Sequence, residues 1–164
     1  MLFETKHFRI EAVENEDYND IAHLYETNQT FVEAHMGENC IDIEWVKSEI
    51  KSMKEAGFDT CKIVDIDTKI LVGYLDFNIH RTTYLSLIIL DERIKGKGAG
   101  TEIYEGFEQY ISDKSEEIRI DVVLGYNEAV ENFWEKLGFE REEMIKLKWG
   151  NKTIPAIKMG KKLK

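Results

Sequence analysis

The chain has 164 residues, 43% hydrophobic and 33% charged, which is enough for one domain (1–164) to bury a core without staples. A net charge of −10 argues against a nucleic-acid partner, and no run approaches the ~18 apolar residues of a membrane span. Only two cysteines, Cys40 and Cys61, no CxxC or HxxxH spacing and no apolar leader at the N-terminus lead us to expect reduced thiols, no metal site and a cytoplasmic location.

In chain order, "HFRIEAV" is predicted as a first strand. "NEDYNDIAHLYETN" repeats apolar residues at helical spacing, with Asn15 as its expected N-cap. A second helix is predicted from Ile43 to about Ala56, capped by Asp42 and stopped at Gly57. Then come three strands, "DTCKIVDI", "ILVGYLDFNI" and "TYLSLIIL", linked by turns at Asp67 and Thr68 and around His80 to Thr82. A glycine run follows, then a helix to about Asp113 with Ile103, Tyr104, Phe107, Tyr110 and Ile111 on one face. "EIRIDVVL" is predicted as a strand. "NEAVENFWEKLG" reads as a helix capped by Asn127 and ended at Gly138, and "FEREEMIKLKW" and "TIPAIKMG" as a hairpin turning at Gly150 and Asn151. Three antiparallel strands, a strand–helix–strand crossover, a helix and a hairpin predict an α+β fold, a mixed, mostly antiparallel central sheet with helices on both faces.

The glycine run "IKGKGAGTEI" carries the clearest chemistry. Alternating Gly96, Gly98 and Gly100 between a strand and a helix let backbone N–H groups converge where Cβ atoms would obstruct. The helix N-terminus adds partial positive charge, Lys95 and Lys97 add full charges, and Thr101 adds a hydroxyl, so a phosphate is expected. Two common phosphate motifs fail on spacing. Lys97 is followed by Gly98 rather than Ser or Thr, and the third glycine of a GxGxxG fingerprint is replaced by Ile103.

"LDERIKGKGAGTEIYEGF" resembles motif A of the GNAT superfamily of N-acetyltransferases, written Q/R-x-x-G-x-G/A. Lys95 takes the Q/R position, and Gly98 and Gly100 take the glycines. "NEAVENFWEKLGFE" resembles the family's motif B region, in the family's order and separation, and the predicted elements match its fold over nearly the whole chain. The resemblance implies acetyl-CoA as cofactor, with its pyrophosphate on Lys95, Gly96, Lys97, Gly98, Ala99, Gly100 and Thr101. It also implies pantetheine against the splayed strand at Ile88, Ile89 and Leu90, with Asn127, Asn132, Phe133 and Trp134 flanking the arm and the thiol end. Helical spacing with Ala129, Val130 and Leu137 gives Phe133 core packing as its other reading.

Acetyl transfer to an amine needs a neutral nucleophile, donors for the oxyanion and a proton for the thiolate. A primary amine has a pKa near ~10.4, so a proton must first leave. The family's usual acid is the tyrosine of "YEKLGF", but this chain has Trp134 there, and an indole N–H is no useful acid. Either another group protonates the thiolate or a thiol of pKa near ~8.5 leaves unaided. The strand position where some family members place a glutamate falls near Tyr84.

A hairpin pairing "ILVGYLDFNI" with "TYLSLIIL" sets Asp76 opposite Ser86 and Asn78 opposite Tyr84, with Leu75, Phe77 and Ile79 against Leu85, Leu87 and Ile89 on the other face. Asp76, Tyr84 and Ser86 are therefore the candidate catalytic residues, and Asp76 is the first choice for proton relay or acceptor binding. Glu33, His35 and Glu38, between the first two helices, are candidate acceptor contacts or else an exposed loop. Thirteen acidic against three basic residues from Glu11 to Asp59 favour a small cationic amine as substrate. A protein or peptide amine, or a non-catalytic acyl-CoA-binding domain, are the alternatives. The lysine-rich final hairpin is either a homodimer edge or solvent surface.

Overall fold

The computed structural model describes residues 1–28, 31, 32, 41–124, 128–149 and 152–163. Eight strands form one sheet: β1 (Phe3–Glu4), β2 (Phe8–Ala12), β3 (Asp59–Asp65), β4 (Leu71–Asn78), β5 (Thr82–Leu90), β6 (Glu117–Val123), β7 (Glu140–Trp149) and β8 (Lys152–Lys162). Their spatial order is β1-β2-β3-β4-β5-β6-β8-β7, antiparallel except where β5 meets β6. The helices described are α1 (Tyr18–Glu26), α2 (Ile43–Glu55), α3 (Ala99–Ile111) and α4 (Glu128–Lys136). The β5–α3–β6 crossover makes the parallel pair possible, since parallel neighbours cannot be joined by a tight turn.

Two apolar cores form on opposite faces of the sheet. One joins Leu75, Phe77, Leu85 and Ile118 to Ile103, Phe107 and Ile111 of α3 and Trp134 of α4. The other joins Tyr74 and Ile89 to Ile21, Leu24 and Tyr25 of α1 and Val46 and Ile50 of α2. The expected sheet with helices on both faces is present.

Local signals mostly act as expected. Asp42 caps α2, its Oδ1 accepting the Trp45 amide at 2.9 Å, and Gly57 ends it with φ of 93°. Asn15 is not the cap of the first helix: Asn15–Asp17 form a tight 3-10 turn before α1. There the Glu14 amide donates to Asp17 Oδ2 at 2.8 Å, and Lys62 holds the same carboxylate at 2.9 Å. The short β1, paired with β2, lies upstream of the predicted first strand.

The β4–β5 register differs from the predicted pairing in one consequential way. Asn78 does face Tyr84, but Asp76 faces Leu87, because Ser86 is an extra residue on β5. This β-bulge reverses side-chain alternation for the rest of the strand. Leu85, Ile88 and Leu90 therefore join the α3 side, while Leu87 and Ile89, expected beside Leu85, join the α1–α2 side.

Candidate active site

The glycine run forms a short 3-10 turn (Glu92–Ile94) followed by two left-handed residues, Gly96 at φ 77° and Gly98 at φ 80°. Gly98 is the N-cap of α3 and carries no side chain to satisfy the first amides of that helix. A Cβ built on either glycine meets nothing within 4 Å, so open space lies over the helix N-terminus. Free amides, a helix dipole, the exposed Lys97 and room for a bulky anion fit a pyrophosphate. Gly100 serves packing as well: its Cβ would lie 3.3 Å from Phe133 Cζ, which brings α3 and α4 close together.

Lys95 turns away from this opening. Its ammonium lies 2.6 Å from Asn28 Oδ1 and 2.9 Å from Glu92 Oε1. Asn28 is only 1% exposed, and its amide nitrogen donates to the carbonyls of Leu24 at 2.9 Å and Leu90 at 3.0 Å. It thus joins the end of α1, the end of β5 and the start of the loop. Nothing in the local sequence singles it out, because its partners are distant in the chain.

The strands open next to the loop. β5 and β6 pair only through Thr82–Glu117, Thr83–Ile118 and Tyr84–Arg119, after which β6 continues along β8. Past Tyr84 a cleft of about 260 Å³ separates them, walled by residues 84–88 of β5 and 120–123 of β6. Val130 and Trp134 of α4, Leu147 and Lys148 of β7, Glu49 and Met53 of α2, and Phe31 complete it. The bulge at Ser86 sits on the cleft wall, and Ile88 lines it while Ile89 and Leu90 follow toward the loop.

Trp134 combines two settings. It lines the cleft, yet it is 6% exposed and meets Tyr104 and Phe139 edge-on at ring centroid distances of 5.5 and 5.3 Å. Phe133, given a core reading on spacing, is only partly buried and covers Gly100. Asn132 is exposed and does not line the cleft. Asn127, Glu33, His35 and Glu38 lie outside the described residues.

Asp76 is 3% exposed and lies beneath the wall rather than on it. Tyr74 donates a hydrogen bond to its Oδ2 at 3.0 Å, whereas Oδ1 is buried with no partner among the described residues. Burial pushes its pKa up to about 7, with the Tyr74 and Ser86 hydroxyls pulling the other way and Glu49 adding to the rise. Glu49 is itself shifted up by burial. A carboxyl that titrates near neutrality beside a cleft is suited to take and return protons.

Tyr84 has a different environment. Its hydroxyl donates to Asp121 Oδ2 at 2.7 Å, and Arg119 holds both oxygens of that carboxylate at 3.0 Å while its guanidinium lies 4.9 Å from the Tyr84 ring centre. Burial and Asp121 raise the phenol above its ordinary value, so Tyr84 donates no proton near neutral pH. The alternation of "EIRIDVVL" places Arg119 and Asp121 on one face, a signal that sequence reasoning passed over.

Residues 25–163 match the family of the acetyltransferase (GNAT) domain. The chain belongs to the GNAT acetyltransferase family. Its fold is shared with a GNAT-family acetyltransferase from Bacillus anthracis (TM-score 0.76, 18% identity, 98% of each chain). It is also shared with the Salmonella typhimurium acetyltransferase that modifies the N-terminal serine of the ribosomal protein L7/L12 (TM-score 0.77, 14% identity, 96% of each chain). A third likeness is to spermidine N-acetyltransferase from Vibrio cholerae, solved with CoA and spermine (TM-score 0.70, 18% identity, 94% of each chain). No curated protein matches the sequence. Among the described residues no helix is long and apolar enough to cross a membrane, and no cluster of three or more His, Cys, Asp or Glu is placed to hold a metal.

Proposed function

We propose that this GNAT acetyltransferase moves the acetyl group of acetyl-CoA to a primary amine of a small cationic molecule, with Asp76 receiving the proton that the ammonium must lose. The thioester supplies an activated acetyl group. The amides of Ala99, Gly100 and Thr101, with Lys97, would hold the pyrophosphate, and the free edge of β5 from Ile88 to Leu90 would align the pantetheine arm. Lys95, bound to Asn28 and Glu92, shapes the loop in place of the direct phosphate contact that the motif implies.

The observation that carries the reading is the buried Asp76 carboxyl, ionising at about 7 directly behind the bulge at Ser86. An amine of pKa near ~10.4 arrives protonated, and a base beside the cleft that is partly ionised at neutral pH can accept its proton as the nitrogen attacks the thioester. Glu49 brings a carboxyl into the cleft wall opposite β5, whereas the charge of Asp121 is answered by Arg119. That asymmetry favours a cationic acceptor on the α2 side.

The test is thiol release from acetyl-CoA across monoamines, polyamines, amino sugars and peptides with free N-termini. Turnover with small cationic amines is expected. Turnover with peptides alone would move the assignment to a protein amine, and CoA binding with no thiol release for any amine would make this a non-catalytic acyl-CoA-binding domain.

A further inference from the structure

Asp76 is too deeply buried to touch an acceptor in the cleft, so its proton needs a carrier. Thr60 of β3 is its direct cross-strand partner. Side chains of directly opposed residues share a face, with Cβ atoms about 4.5–5.5 Å apart. Thr60 is 4% exposed and Asp76 is 3% exposed. Thr60 Oγ1 and Asp76 Oδ1 are both buried without a hydrogen-bond partner among the described residues.

Two adjacent unpartnered polar atoms are costly unless something small satisfies both. The hydroxyl can give or accept a hydrogen bond, and the carboxylate oxygen accepts one. Water is the smallest molecule that bridges such a pair, and polar sites of this kind hold buried water in most folds. On the other side of Asp76, Ser86 stands at the bulge and lines the cleft, close enough to favour the ionised carboxylate.

We propose that Thr60 and Asp76 hold one water molecule between Oγ1 and Oδ1 that orients the carboxylate from the β3 side, while the Ser86 hydroxyl on the β5 side carries the acceptor's proton from the cleft to Asp76. The inference rests on the acetyl-transfer reading above. The transfer forms a C–N bond and breaks the C–S bond of acetyl-CoA, giving an amide, the CoA thiol and one proton. That proton leaves the ammonium for Ser86, whose own proton passes to Asp76, and Asp76 later returns it to solvent by the same route. Thr60 is then a positioning residue, orienting the water without touching the substrate.

The groups facing Asp76 leave this route free of a competing cation. Tyr25 from α1, Glu49 from α2 and Tyr74 on β4 act on it or are acted on by it, and each is neutral or acidic, while Cys61 of β3 lies on the opposite face. Lys62, two residues along the same face of β3, is held by Asp17 at 2.9 Å.

Thr60→Val removes the hydroxyl at nearly constant shape, and Thr60→Ser retains it. T60V should lower kcat about tenfold near pH 7 while leaving the amine KM and CoA affinity unchanged. The deficit should shrink toward pH 9–10, where solvent deprotonates the amine, and T60S should restore both rate and pH profile. A high-resolution crystal structure should show the water in the wild-type protein and lose it in T60V. A T60V enzyme with wild-type kcat and pH profile would overturn the positioning role of the water, as would a direct Thr60–Asp76 hydrogen bond with no water in the crystal. If Asp76→Asn loses activity while T60V keeps it, the role of the Thr60 water fails and the base survives. If D76N is as active as wild type, the base assignment itself fails.

Discussion

The Lys95 ammonium lies 2.6 Å from the amide oxygen of the buried Asn28, so the first charge of the glycine run is spent on holding the loop to α1. Asn28→Ala would leave the Leu90 carbonyl without its donor and release Lys95. The loss should be roughly 2–3 kcal/mol of stability, read by chemical denaturation. CoA affinity should fall severalfold in calorimetry because the loop loses its anchor. Unchanged CoA affinity would show that Asn28 only stabilises the fold.

Asp76 predicts a pH-dependent stability. Its folded pKa, raised to about 7, lies above its ordinary value, so the folded protein keeps a proton that the unfolded chain releases. The resulting stability is fully present below pH ~4 and is lost as pH rises through about 7. Asp76→Asn has no such proton to lose. Its stability relative to wild type should therefore grow between pH ~4 and ~8, by about 4 kcal/mol at most. Urea midpoints measured at both ends of that range check it, and a pH-independent difference contradicts it.

Gly98 occupies the left-handed region at φ 80°, with open space where a side chain would project. Gly98→Val should cost ~1–2 kcal/mol of backbone strain and fill the space over the helix N-terminus. The expected result is a folded protein whose CoA dissociation constant rises tenfold or more. An unaltered constant would falsify the pyrophosphate assignment.

Trp134→Tyr asks whether an acid is missing. Trp134 is packed between Tyr104 and Phe139, and the smaller ring should cost about 1–2 kcal/mol of stability. Because a thiolate of pKa near ~8.5 is a tolerable leaving group, kcat should stay within about twofold of wild type. A tenfold gain would instead mean that thiolate protonation limits the native enzyme.

Features with short-range causes were legible in the sequence. The spacing of Gly96, Gly98 and Gly100 marked the turn before α3, Asp42 and Gly57 bounded α2, and alternation on β4 set Asp76 apart from the core face of Leu75 and Phe77. Features set by tertiary contacts were not. Nothing in "TYLSLIIL" announces that Ser86 is an extra residue, and with that one position unread, the facing of Leu87 and Ile89 was inverted. Asn28 and Thr60 matter through partners on other strands, which a local pattern does not encode. Lys95 shows the limit of a motif: it sits at the expected position, yet its charge is turned to Asn28 and Glu92.

The central claim, an acetyl transfer to a cationic amine in which Asp76 takes the proton, is tested most directly by thiol release in wild type and Asp76→Asn across pH 6–10. Wild type should turn over a small cationic amine with a rise in kcat centred near pH 7. Asp76→Asn should bind CoA equally well and lose about a hundredfold in kcat at neutral pH. Equal turnover by the two proteins throughout that range would contradict the account.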